Sequence, residues 1–568
     1  MTQSVSRPAA AAAAGRPGTD GRLAEVARGG LLNLVGAAVA GLGTVALTLI
    51  ITRRFSEAAA GAFFTAMSLF LIVEAVASLG AATGTVYFIA RLRSLGQDHR
   101  IPEVVRTATR PVAVVSVTAA VALVLLAAPV ARLLVHGQLG HAGARPAEVA
   151  TELRALALAL PFAAMLDTVL GASRGYRSMG PTVVVDRIGR PILQLIGIGV
   201  AAAAGSTALL APLWALPYVP AACAGWLWFH RIQRRAGPAR PVIPAAAIPS
   251  AVSTAAIPVR VPVPVPPAHR APQDADSPAS REPLRFWRFT GPRGLAALAQ
   301  ITIQRIDIVL VAIMRGPAEA AVYTAATRFL VAGQFGNQAI SMAAQPRFTE
   351  MFAQGDHQGA NRVYQATTGW LILLTWPLYL LAVSFGPQII TVFGHSYRAG
   401  AAVMVILGLT MLLATACGQV DMVLVTTGRS SWSLMNGLLA VVVNVGLDVA
   451  LIPRYGITGA AIGWSAAIIV TNLMPLAQVA AVMRLHPFGR GTFVSAALCA
   501  FSFGVLPLAA RHLIGPGAVP ALAAIGCGCA VMAAGIWHFR GDLNVAAMPG
   551  GTQLAAAVRR RNKKRPAG

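Results

Sequence analysis

Apolar runs of about 20 residues, nearly free of charge, recur along the whole chain. A helix rises about 1.5 Å per residue, so each run is long enough to cross the hydrocarbon of a bilayer. Hydrocarbon offers no hydrogen bonds, and a segment of this length satisfies its own backbone only as a helix. Spans are expected near 30–52, 60–83, 111–133, 152–173, 182–204 and 207–229. After a break, further spans are expected near 292–314, 319–343, 366–388, 400–426, 432–453, 457–482, 493–510 and 517–538. Composition agrees: of 568 residues 56% are hydrophobic and 12% charged, with a mean hydropathy of +0.65. A soluble domain carries about twice that charge. The expected fold is an all-α polytopic membrane protein of about 14 transmembrane helices.

The break is compositional. Residues 231–290 contain PARPVIP and IPVRVPVPVPPAHRAP, and proline at that density opposes helix and favours extended polyproline II. The expected organisation is a disordered cytoplasmic tail (1–29), a membrane lobe (30–230), a Pro-rich cytoplasmic linker (231–290), a second lobe (291–484), two extra helices (485–540) and a basic cytoplasmic tail (541–568). A shift of 260 residues places Gly61, Ala62 and Phe63 over Ala321, Val322 and Tyr323, and Ala66 over Ala326. The lobes therefore read as pseudo-symmetric six-helix units around a central cavity.

The formal net charge is +26, and the only lysines are Lys563 and Lys564. Without lysine elsewhere there is no GxxxxGK[ST] phosphate loop and no Schiff-base lysine. The arginines concentrate in alternate loops, among them Arg91, Arg93, Arg100, Arg106 and Arg110, in the linker, and in the tail from Arg559 to Arg565. That bias puts both termini in the cytoplasm of a multi-pass plasma (inner) membrane protein. It explains the basic excess without nucleic acid, and the basic tails are expected to meet anionic lipid. The five cysteines lie in apolar runs without metal-ligand spacing, and no HExxH occurs, so no metal site is expected. No expected outer loop exceeds about 20 residues, which leaves little room for the catalytic loops of an embedded glycosyltransferase or polymerase; no enzyme is expected.

Residues 305–356, RIDIVLVAIMRGPAEAAVYTAATRFLVAGQFGNQAISMAAQPRFTEMFAQGD, resemble the opening of the second lobe in polysaccharide flippases of the multidrug/oligosaccharidyl-lipid/polysaccharide (MOP) exporter superfamily. The residues that carry the pattern are Asp307, Tyr323, Ala326, Arg328 and Pro346, with Ala321 where the family has glycine. Residues 437–464 are also similar, through Asn444, Pro453, Gly456, Gly459 and Gly463. The lipid II flippase pattern is not seen at the first span, so the resemblance is to O-antigen and exopolysaccharide-type members. It implies alternating-access movement of a polyprenyl-diphosphate oligosaccharide from the cytoplasmic to the outer leaflet, for cell-envelope polysaccharide biosynthesis. Other membrane proteins of polysaccharide assembly are further implied partners. A drug/cation antiporter of the same superfamily is the competing expectation.

Charged groups within spans are costly unless paired or wetted, and so mark candidate sites. Arg187, Arg190, Arg305 and Arg328 are the candidate substrate ligands, because a guanidinium fork matches phosphate oxygens. Asp186 and Arg190, at i and i+4, can pair, and so can Asp307 and Arg328 across neighbouring helices. Glu74, Asp307, Asp421 and Asp448 are candidates for ion coupling or for structural pairing. No cofactor is expected beyond a coupling Na⁺ or H⁺.

Overall fold

A computed structural model describes residues 19–135, 145–236, 282–515 and 517–543. Most of the expected linker and the basic tail, at 237–281 and 544–568, lie outside the described residues, as do residues 1–18. Among the described residues all regular structure is helical.

The first lobe comprises α1 (Thr19–Arg54), α2 (Glu57–Ala77), α3 (Ala81–Ser94), α4 (Ile101–Val135), α5 (Pro146–Gly175), a π-helical turn (Thr182–Gly189) continued by α6 (Arg190–Ala204), α7 (Leu210–Ala215) and α8 (Tyr218–Arg235). The second comprises α9 (Glu282–Arg315), α10 (Pro317–Ala326), α11 (Arg328–Gln354), α12 (His357–Ile390), α13 (Ala401–Ala416), α14 (Val420–Thr426), α15 (Ser430–Tyr455) and α16 (Ile457–Met483). The chain ends in α17 (Arg490–Cys499), a second π turn (Ala500–Val505), α18 (Leu506–Leu513) and α19 (Ala518–His538). Helix α1 begins at Thr19, inside the stretch expected to be a tail, and α8 and α9 extend into both ends of the expected linker.

Among the described residues twelve helical spans are long and apolar enough to cross a membrane. The expected count of fourteen is not confirmed: the helical stretches 182–204 and 317–354 are not among the twelve. Both stretches are polar: the first carries Asp186, Arg187 and Arg190, the second Arg328, Gln334, Asn337 and Gln338. The protein is a multi-pass membrane protein.

Local sequence explains the main interruptions. Ser56 caps α2 by accepting from the Ala59 amide at 3.3 Å. Between α2 and α3 the backbone turns left-handed at Leu79 (φ 51°) and Gly80 (φ 66°). Gly80 lies so close to Gly294 of α9 that a Cβ would overlap that backbone, so a residue with free φ and no side chain is required there.

One apolar core runs through both lobes near the face that carries the α1–α2 turn, joining Phe63, Phe64 and Phe70 to Ala320, Tyr323 and Tyr397. Here α2 packs on α10, and Gly61 presses on the Pro317 carbonyl. Without a hydrophobic drive between helices in lipid, small residues that admit close backbones are what hold such a contact. The helices matched by the 260-residue shift are thus direct neighbours across the lobe boundary. On the same face, Arg53 donates from Nε to the Val392 carbonyl at 2.7 Å, tying the end of α1 to the end of α12. On the other side of the boundary α1 touches α11, where the Phe335 ring lies against Gly41.

Candidate functional site

Helix α1 is held between the π turn with α6 on one side and α11 on the other. The three border an open cavity of about 440 Å³ lined by Ala37, Ala40, Gly41 and Thr44, by Asp186, Arg187 and Arg190, and by Gln334, Phe335, Asn337 and Gln338. The two polar stretches therefore face one chamber. The π turn contributes to this: its extra residue per turn, with the Arg190 amide bonded to the Val185 carbonyl, re-aims the side chains that follow.

Arg190 is fully engaged. Its Nε and one terminal nitrogen both lie 2.9 Å from Asp186 Oδ1, and the other terminal nitrogen donates to Gln194 Oε1 at 3.1 Å and the Tyr218 hydroxyl at 3.4 Å. Its guanidinium also sits 4.9 Å from the Tyr218 ring centre. Arg187 runs its stem over Gly36 of α1, where a Cβ would crowd it, and its head lines the chamber. Glu74 accepts from the Ser78 hydroxyl at 2.9 Å and lies within electrostatic reach of Asp167, Asp186 and Arg190. Asp167 in turn meets Arg174 at 3.9 Å.

Arg305 and Arg328 behave differently. Arg328 is 6% exposed and bends back onto its own helix start, with Nε donating to the Thr324 carbonyl at 3.0 Å and a terminal nitrogen to the Thr327 hydroxyl at 3.2 Å. The expected Asp307–Arg328 pair is not formed, because both residues have other partners. Arg305 has a buried Nε with no hydrogen-bond acceptor. Among the described residues neither arginine has a carboxylate within 4.0 Å. Tyr218 and Arg328 are within electrostatic reach of Arg305, so Arg190, Arg305 and Arg328 form a chain linked through Tyr218. Neither Arg305 nor Arg328 lines the chamber below, so the four do not share one cavity.

Asp307 joins another group. Its Oδ2 accepts from the Tyr323 hydroxyl at 2.7 Å, and its carboxyl approaches that of Asp448 within hydrogen-bonding range. Asp448 Oδ2 accepts from the Asn444 amide at 3.1 Å. Asp307, Asp448 and Asn444 are all buried, at 2%, 0% and 0% exposure. One oxygen on each, Oδ1 in all three cases, accepts from no described donor. Gly463 of α16 closes the site, since a Cβ there would overlap Asp448 Oδ1. Two adjacent buried carboxyls and the Asn444 amide together present three unsatisfied oxygens, the kind of donor set that suits a proton or a hard monovalent cation.

Asp421 stands apart from that group, accepting from the Ser433 hydroxyl and lining a second cavity of about 520 Å³ within the second lobe. Tyr218, Gln194 and Phe335 escaped the sequence reading. An aromatic or amide inside an apolar run carries no pattern, and their roles come from which helices meet.

Comparison with known proteins agrees with this architecture. Residues 292–450 match the MatE family model. No sequence among curated proteins matches the chain. Among solved structures, the chain is similar to lipid II flippase MurJ in an inward closed conformation, with a TM-score of 0.66 at 11% identity, covering 91% of this chain and 99% of that one. It is similar to an inward-facing multidrug resistance MATE transporter of the MOP superfamily, with a TM-score of 0.56 at 16% identity, over 79% and 99% of the two chains. A further similarity is to a MOP superfamily transporter from Pyrococcus furiosus described as having a binding pocket of reverse polarity, with a TM-score of 0.51 at 16% identity, over 81% and 96%. The fold is that of MOP-superfamily transporters. Within it, the second lobe carries the MatE match.

Proposed function

We propose that this protein moves an anionic, lipid-linked cargo, a polyprenyl-diphosphate oligosaccharide, from the cytoplasmic to the outer leaflet of the plasma membrane by alternating access. The supporting observation is the arrangement of arginines by depth. Counted at about 1.5 Å per residue from the face with the α1–α2 turn, Arg187 and Arg190 lie about 26 and 21 Å down, and Arg328 and Arg305 about 16 and 15 Å. The outer two lack carboxylate partners, so a diphosphate passing between lobes would meet guanidinium groups at successive levels. The arginine-rich loops at the opposite face support a cytoplasmic orientation for that face. An inside-negative potential then favours outward passage of the anion by about 2.3 kcal/mol per charge per 100 mV.

Asp307, Asn444 and Asp448 are the proposed Na⁺ or H⁺ site; Glu74 and Asp421 are not part of it. A drug/cation antiporter is the second reading, favoured by the acidic group Glu74, Asp167 and Asp186 on the first lobe. The paired arginines Arg190 and Arg174 offset that group, which weighs against it.

The test is reconstitution into liposomes with fluorescent prenyl-diphosphate oligosaccharides, scored by the leaflet each occupies. Transport that falls in Arg305→Ala and Arg328→Ala supports the reading. Wild-type transport of an organic cation but of no diphosphate would replace it with the antiporter.

A further inference from the structure

We infer that the cavity inside the second lobe binds an uncharged, hydroxyl-rich group, the sugar end of the cargo, while the diphosphate stays with the arginines of the lobe boundary. This rests on the anionic-cargo reading above and deepens it. The cavity holds about 520 Å³, within the roughly 300–1,000 Å³ of ligand pockets. Gln300 and Gln304, one turn apart on α9, line it together with Gln334 of α11. None of these three amides has a hydrogen-bond partner among the described residues; all three are exposed and line this space, and Gln334 also lines the chamber beside it. An unsatisfied amide at membrane depth is costly unless something polar occupies the space it faces.

The rest of the wall agrees in chemistry. Asp421 is the only formally charged residue in the lining, so a second anion is disfavoured, while hydroxyl donors are not. Trp464 offers an aromatic face for the apolar side of a ring. Tyr379 is 0% exposed, lines the cavity, and has a hydroxyl with no partner. Amides that both donate and accept, one carboxylate and an indole suit a polyol; a lipophilic cation would leave the amides unsatisfied. Gln334 and Asn337 line this cavity and the arginine chamber alike, so one extended molecule can occupy both.

The experiment measures binding to the full-length protein in detergent by calorimetry, using farnesyl diphosphate and farnesyl-diphosphate-linked disaccharide. The sugar-bearing probe is expected to bind about tenfold tighter or more, the discrimination of a few made hydrogen bonds. That increment is expected to vanish in Asp421→Asn and in the double variant Gln300→Ala/Gln304→Ala, with farnesyl diphosphate binding unchanged. Equal affinity of the two probes for the wild-type protein overturns the inference, whatever the variants do. So does an increment that survives both variants. If neither probe binds, the anionic-cargo reading fails and this inference falls with it. If farnesyl diphosphate binds without a sugar increment, only the inference fails.

Discussion

The two lobes treat their intramembrane charges in opposite ways. In the first, Arg190 is bound by Asp186, Gln194 and Tyr218, and Asp167 faces Arg174. In the second, Arg305 and Arg328 have no carboxylate within salt-bridge distance among the described residues. There Asp307, Asn444 and Asp448 each keep an unsatisfied oxygen. The first lobe pairs Arg190 and Asp167 internally and needs no cargo for those charges, while its buried Glu152 keeps an unpartnered oxygen. A lobe that leaves a cationic pair and an acidic pair uncompensated is poised for external ions of both signs.

That contrast can be broken in order of expected effect. Asp186→Ala leaves Arg190 without its counter-charge and should destabilise the protein by about 2–3 kcal/mol, less than the roughly 3–5 kcal/mol of a fully buried pair because this one borders a cavity. The double variant Asp186→Asn/Arg190→Gln should regain most of that loss, and denaturation of the set in detergent measures the coupling. Arg328→Ala should do the reverse, leaving the thermal midpoint unchanged or raised while transport in liposomes falls by about tenfold or more. If Arg328→Ala lost stability and kept transport, the lobes would not differ in the way described.

Third, the wild-type thermal midpoint should rise with added Na⁺ or with falling pH, and the condition that raises it names the ion. Asp448→Asn should remove the response, since it removes one of the two charges that call for the ion. A smaller effect is expected at Gly41, where Gly41→Val would push the Phe335 ring away and should slow transport by about threefold, under 1 kcal/mol in barrier, with membrane insertion intact. Deleting roughly 240–280 should change transport least, by less than about twofold, because α2–α10 and α1–α11 already join the lobes.

Much of the fold was legible, because each apolar run announces a span by length alone. The two polar stretches outside the twelve spans were also marked, since their charges showed in the sequence. Pairings between helices were not. Asp307 and Asp448 each stood out as an intramembrane acid, but only the packing of α9 against α15 makes them neighbours. The Asp307–Arg328 pair expected from adjacent spans gave way to a local one, since the Thr324 carbonyl near the break between α10 and α11 lies within reach of the same side chain. The π turn at 182–189 has no compositional mark, although it re-aims Asp186, Arg187 and Arg190.

The seat of Gly61 on the Pro317 carbonyl has a mechanical consequence. The lobes touch backbone to backbone there and again at the other end of α2, where Gly80 meets Gly294. Displacement grows with distance from a pivot, so a tilt about the Gly61 contact must part the Gly80–Gly294 contact first. Side-chain bulk at position 61 would shift that pivot.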